Sequence, residues 1–282
     1  MPHALLDYDV IAEEPDRYLR SVGTVFANFG PRMQDSGNVS YGVQIDAERY
    51  FVKTAGRPDD PRFFLKYEKR VALLRNAVRL SGSVRHPTLP RLYRVIESPG
   101  GPLLVYQWLD GELIYTSRAR RNDPESAIQR FRSLPAGKIV GCIDDIFDLH
   151  HKLAIAGWIA VDFYDGSLIY DFKAGRLGIV DLDAYRQGPF RNEMGRMFGS
   201  TRFMAPEEFE LGALIDEQTN VFVMGRTALV LLSDGTLNPL AFRGTPAHFK
   251  VIARACDPVR SGRYNSMAAF YSAWQSAVGS GG

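Results

Sequence analysis

Cysteine is scarce in this chain. Two occur among 282 residues, Cys142 and Cys256, which excludes a disulfide scaffold and a cysteine-rich zinc centre. They read as buried, reduced thiols. Charge of one sign is missing too: 34 Lys and Arg against 32 Asp and Glu leave a net charge of +2. Such a balance gives no electrostatic ground for binding nucleic acid or an acidic membrane. Long apolar runs are also missing. The best, VFVMGRTALVLL, is too short to span a bilayer and carries Arg226 in its middle. The opening MPHALLDYDVIAEEPDRY has early acids and no apolar heart, unlike a secretory signal. A cytoplasmic protein is the expectation. The five histidines show no HExxH or comparable ligand spacing, and no GxSxG elbow occurs.

What is present belongs to a globular chain. Hydrophobic residues make up 45% and charged residues 23%, enough to bury a core without staples. Residues 1–31 mix apolar and charged side chains and read as an extension docked on the fold. SGNVSYGVQIDAERYFVKTAG alternates and is rich in Val, Tyr and Phe, with a DAE turn between two runs, the pattern of a β-hairpin. FFLKYEKRVALLRNAVRL spaces Leu65, Val71, Leu74 and Val78 as an amphipathic helix. LPRLYRVIES and GPLLVYQWLD read as two strands around an SPGG turn. Beyond about residue 110 the texture turns helical. IVGCIDDIFDLHHKLAIAG is a long helix closed by Gly157. Short β segments follow, then a Gly- and Pro-rich stretch, RQGPFRNEMGRMFGSTRFMAPEEFE, long enough to suggest function. VFVMGRTALVLL and FYSAWQSAV read as helices, and GSGG as a tail. A β-rich half before a helical half predicts an α+β protein of two lobes: 32–109 and 110–278, with residues 279–282 a flexible end.

Single motifs here are weak, but their order is specific. LHHKLAIAGWIAVDFYDGSLIYDFKAGRLGIVDLD and GSTRFMAPEEF together resemble the catalytic loop, metal-binding loop and APE segment of the eukaryotic-like Ser/Thr protein kinase family. The resemblance runs from about residue 35 to 275. It implies a bilobal kinase-like fold, with a small antiparallel β lobe carrying one helix and a larger, mainly helical lobe. It also implies ATP and Mg²⁺ as cofactors and phosphoryl transfer to Ser or Thr hydroxyls of a protein substrate. By that resemblance Asp162 receives the acceptor proton and Asp181 binds Mg²⁺, two separate tasks for two carboxylates. Lys53 in YFVKTAG falls on the lysine that grips the α- and β-phosphates. Glu68, inside the predicted helix, falls on the acid that holds that lysine. SGNVSYGV resembles the glycine-rich phosphate loop through Gly37 and Gly42. The segment around Gln107, Trp108 and Leu109 resembles the hinge that meets adenine. Glu207 falls on the APE acid, whose expected partner is Arg263, or else Arg260.

The departures are specific. Ala160 and Val161 replace the His and Arg before the catalytic Asp, so a phosphorylation-read activation switch is not expected. Tyr164 stands where the family has a Lys. Ser167 replaces the Asn that helps hold metal, with Asp165 nearby as a substitute, and Asp183 replaces the Gly of DFG. Asn220 replaces a scaffold Asp. Two alternatives stay open: a pseudokinase that binds nucleotide or partner without turnover, and a kinase acting on a small-molecule hydroxyl.

Overall fold

The structure, a computed structural model, describes residues 3–30, 38–60 and 64–279. The chain divides into two compact units, Met1–Asp110 and Gly111–Gly282, and its class is α+β.

The first unit opens with helix α1 (Pro15–Val22) and strand β1 (Thr24–Phe29), followed by β2 (Val39–Ile45), β3 (Glu48–Thr54), helix α2 (Tyr67–Ser83), β4 (Leu92–Ile96) and β5 (Leu103–Gln107). The strands form one antiparallel sheet in the order β1-β2-β3-β5-β4. The expected hairpin is β2–β3, closed at Asp46, whose φ of 53° fits a tight turn. The second expected pair is β4–β5, with Ser98 Oγ donating to Gly101 O at 2.6 Å in the turn.

Strand alternation sends neighbouring residues to opposite faces. Val52, Leu103 and Val105 go to one face, where Leu5, Ile11, Tyr18 and Leu19 cover them. Leu104 and Tyr106 go to the other, where they meet Leu74 and Ala77 of α2. Residues 3–29 are therefore part of this unit rather than an added extension. Ile11 N donates to Glu97 O at 2.9 Å, and Glu97 N donates to Asp9 O at 2.8 Å. The alternation of TVFANF is the local signal for β1.

The second unit contains β6 (Glu112–Leu113), α3 (Ala127–Arg132), α4 (Ala136–Ile155), β7 (Trp158–Ile159), β8 (Leu168–Asp171), β9 (Arg176–Ile179), β10 (Arg186–Gln187), β11 (Phe190–Arg191), β12 (Leu214–Ile215), α5 (Glu217–Leu232), α6 (Pro246–Ala255) and α7 (Met267–Gly279). Helix α5 is its centre. From Thr219 to Leu232 only Arg226 escapes full burial, as expected of a helix apolar on every side. Phe147 of α4 packs edge-on against Phe270 and Trp274 of α7, with centroids 4.7 and 5.0 Å apart. Gly157 ends the turn after α4 with φ of 79°. The antiparallel β8–β9 hairpin then carries the chain past the positions on which the chemistry depends. Among the described residues, no helix is long and apolar enough to cross a membrane.

Candidate functional site

The two aspartates singled out by sequence share an unusual backbone. Asp162 has φ of 62° and Asp181 φ of 61°. Apart from the turn residue Asp46, they are the only non-glycine residues with positive φ among those described. Asp tolerates this region better than most side chains, but each instance still costs on the order of 1 kcal/mol. Strain of this kind gathers where side-chain direction matters more than local stability.

The β8–β9 hairpin places both residues. Asp162 lies in the loop leading into β8, and Asp181 follows β9. Their flanks are joined where Val180 N donates to Ser167 O at 2.9 Å, next to the register pair Leu168 and Ile179. Ser167 is thus held one residue from Asp181, and it is buried. Asp181 is exposed and Asp162 half-buried, while Asp183 is buried. Ser167 and Asp181 together present hard oxygen donors, the type a hard cation takes. No group of three or more His, Cys, Asp or Glu suited to a metal occurs among the described residues.

Several elements hold the Asp162 loop. Asn220 Oδ1 of α5 accepts Ala160 N at 3.0 Å, so the amide fills the scaffold position without a charge. His150 of α4 lies edge-on to Phe163, with centroids 4.5 Å apart. Its Nδ1 lies 2.7 Å from Ile146 O and its Nε2 2.7 Å from Tyr185 Oη. A carbonyl can only accept, so Nδ1 carries the proton and, in the neutral ring, Tyr185 donates to Nε2. Burial raises the Tyr185 pKa well above its usual value, and the Asp162 charge adds to the effect. No motif in the sequence marks Tyr185 as the partner of His150.

The GSTRFMAPEEF segment meets the same loop. A Cβ added at Gly199 would lie 3.6 Å from Asp162 Oδ1. Ala160, Asp162, Gly199, Met204 and Glu208 line one small pocket. Burial pushes the Glu208 carboxyl up to about 7, opposed by a hydrogen bond from Ala205 N and assisted by the charges of Glu207 and Asp162. The sequence holds no sign that this acid is buried. Glu207 takes the partners expected of it, and takes both. Arg263 Nη1 donates to Oε1 at 2.7 Å and Nη2 to Oε2 at 3.0 Å, while Arg260 Nη1 reaches Oε1 at 2.9 Å. Asp165 is committed elsewhere. Its buried carboxylate pairs with Arg202 instead of standing open to a metal.

The candidates of the first unit fare differently. Lys53 of β3 is buried, in register with Leu104, and so shares the sheet face that α2 covers. Glu68, the acid expected to hold Lys53, does not take an inward place on α2. Glu68 is exposed in the first turn of α2. The buried side of this helix runs through Arg70, Leu74, Ala77 and Leu80, and two residues' offset from Arg70 turns Glu68 about 200° away. Arg70 ties the helix down instead, donating to Ala55 O and, at 2.8 Å, to Arg57 O. Gly42 lies within β2, where a Cβ would come 2.7 Å from the Phe26 ring; its bareness makes room for that side chain. Gly37 lies outside the described residues. Gln107 ends β5 exposed, its N–H bonded to Arg91 O at 2.8 Å, and Leu109 beyond it is half-buried.

No known family model matches the chain, and no curated protein matches it.

Proposed function

We propose that this chain has a bilobal protein kinase-like fold and transfers the γ-phosphoryl group of ATP, with Mg²⁺, to a Ser or Thr hydroxyl of a protein. The observation that carries the reading is the pair of strained aspartates, Asp162 and Asp181, in the segments that enter and leave one β-hairpin. Phosphoryl transfer asks for two carboxylates with different tasks. Asp162, half-buried and abutted by Gly199, accepts the proton leaving the acceptor hydroxyl. Exposed Asp181 would hold the metal, with Ser167 beside it. Bound Mg²⁺ supplies charge neutralisation on the transferring phosphate; it commonly needs one or two protein carboxylates and draws its other ligands from phosphate and water. Lys53 orients the α- and β-phosphates. Glu68 has no part in this arrangement.

One observation favours a second reading, a nucleotide-binding scaffold without turnover: Glu68 lies exposed in the first turn of α2, off the buried side of that helix. Transfer of labelled γ-phosphate, compared between the wild type, Asp162→Asn, Asp181→Asn and Lys53→Met, separates the readings. Loss of any of these charges should lower the rate by orders of magnitude. Equal incorporation by all four proteins refutes the assignment. An ATP- and Mg²⁺-dependent rise in melting temperature without transfer favours the scaffold.

A further inference from the structure

A charge cluster gathers at Asp165, three residues along the loop from Asp162. Asp165 is 1% exposed, and its Oδ2 pairs with Arg202, whose side chain is 20% exposed. Arg121, in the loop before α3, is half-buried and near enough for its charge to act on Asp165. Arg226 of α5 donates Nε to Arg202 O at 2.8 Å, adding a third guanidinium. Neither Arg121 nor Arg226 makes an ion pair among the described residues. Two guanidinium charges, those of Arg202 and Arg121, thus act on one carboxylate, and Arg226 holds the Arg202 backbone.

Three buried atoms of these residues have no hydrogen-bond partner among the described residues: Arg121 Nε, Arg202 Nε and Asp165 Oδ1. Native proteins rarely leave such groups unsatisfied, and a cluster of them marks a place for something else. Two N–H donors, one acceptor and an excess of positive charge describe the complement: an oxyanion that also carries one proton. A phosphate monoester monoanion matches that description, and a carboxyl group matches it with fewer bonds.

We infer that Arg121 and Arg202, backed by Asp165, form an oxyanion subsite that receives a phosphoryl or carboxyl group of the acceptor peptide, three residues along the loop from Asp162. The assignment to an acceptor rests on the kinase reading above; the anion site itself does not. An unphosphorylated neutral peptide leaves the subsite empty, while a peptide with an acidic or phosphorylated residue near its hydroxyl fills it.

The first test uses the full chain carrying Lys53→Met, so that phosphate cannot report the nucleotide position. Inorganic phosphate is titrated calorimetrically against sodium chloride of equal ionic strength. Saturable binding is expected. It should weaken about tenfold or more in Arg121→Met, since losing one charge-assisted bond is worth at least that factor. The same loss is expected in the double variant Arg202→Met/Asp165→Asn, which leaves no buried carboxylate unpaired. Lys173→Met should bind as before. Phosphate binding no better than chloride, or equal affinity in Arg121→Met, overturns the subsite and leaves an ordered water as the occupant. The second test compares acceptor peptides that differ only in Gln, Glu or phosphoserine beside the target Ser. A gain in kcat/KM of about tenfold for the anionic peptides, abolished by Arg121→Met with the Gln peptide unaffected, supports the acceptor assignment. No preference among the peptides overturns it. Saturable phosphate binding together with no transfer to any hydroxyl upholds the anion site and overturns the kinase reading.

Discussion

Replacing Arg263 by Met tests the deepest electrostatic contact in the second unit. The Arg263 side chain is 0% exposed and that of Glu207 6%. The guanidinium forms a two-bond fork on the carboxylate and also donates to the carbonyls of Asp257, Pro258 and Gln218. Removing it leaves Glu207 with Arg260 Nη1 and Thr219 Oγ1, each at 2.9 Å. Removing one partner from a buried ion pair costs about 3–5 kcal/mol. The surviving bonds place this case near the lower end, about 3 kcal/mol, equivalent to roughly 6–12 °C in melting temperature for a unit of this size. The exposed Arg20–Asp16 pair is the control, and Arg20→Met should change nothing measurable. The effect also depends on pH. Burial pushes the Glu207 pKa up, but the Arg263 hydrogen bonds lead a set of contacts that outweighs it and hold the carboxyl below its usual value. The unfolded chain therefore takes up this proton first as pH falls. The contribution is complete above about pH 5 and drains away as pH drops through the folded pKa. Urea and thermal unfolding of wild type and variant at pH 7 and pH 3 measure both effects. A loss under 1 kcal/mol at pH 7, or a gap that widens in acid, refutes the reasoning.

Three further outcomes are expected. Asp181→Gly relieves a left-handed backbone, so it should abolish transfer while leaving stability equal or up to about 1 kcal/mol higher; a clear drop in melting temperature counts against the strain argument. Tyr185→Phe leaves His150 Nε2 buried without its donor and should cost about 1–3 kcal/mol by urea unfolding, with no effect if the bond is unimportant. Burial pushes both thiols, Cys142 and Cys256, up to about 12. Neither should react with iodoacetamide at pH 8 in the folded protein, whereas both should react in urea.

Local pattern determined much of the fold. Alternation and the Asp46 turn specify β2–β3, and spacing of apolar residues specifies α2, because a strand or helix buries whichever side its own repeat makes apolar, while α5 is apolar all round and is buried whole. The order of the motifs also singled out Asp162, Asp181 and the Glu207–Arg263 pair. What periodicity leaves open is which neighbour covers a face and how far a helix is rotated on it. By pattern alone residues 3–29 resemble an appendage, yet Leu5 and Leu19 pack against the sheet. Glu68 sat at a plausible position, but rotation of α2 gave the inward place to Arg70. Asp165 passed for a metal ligand until the fold brought Arg202 to it, and Glu208 became a weak acid only through burial. Chain order names the groups that can act; their charge state and partners depend on solvent exclusion and long-range contacts, which arise only when distant segments pack together.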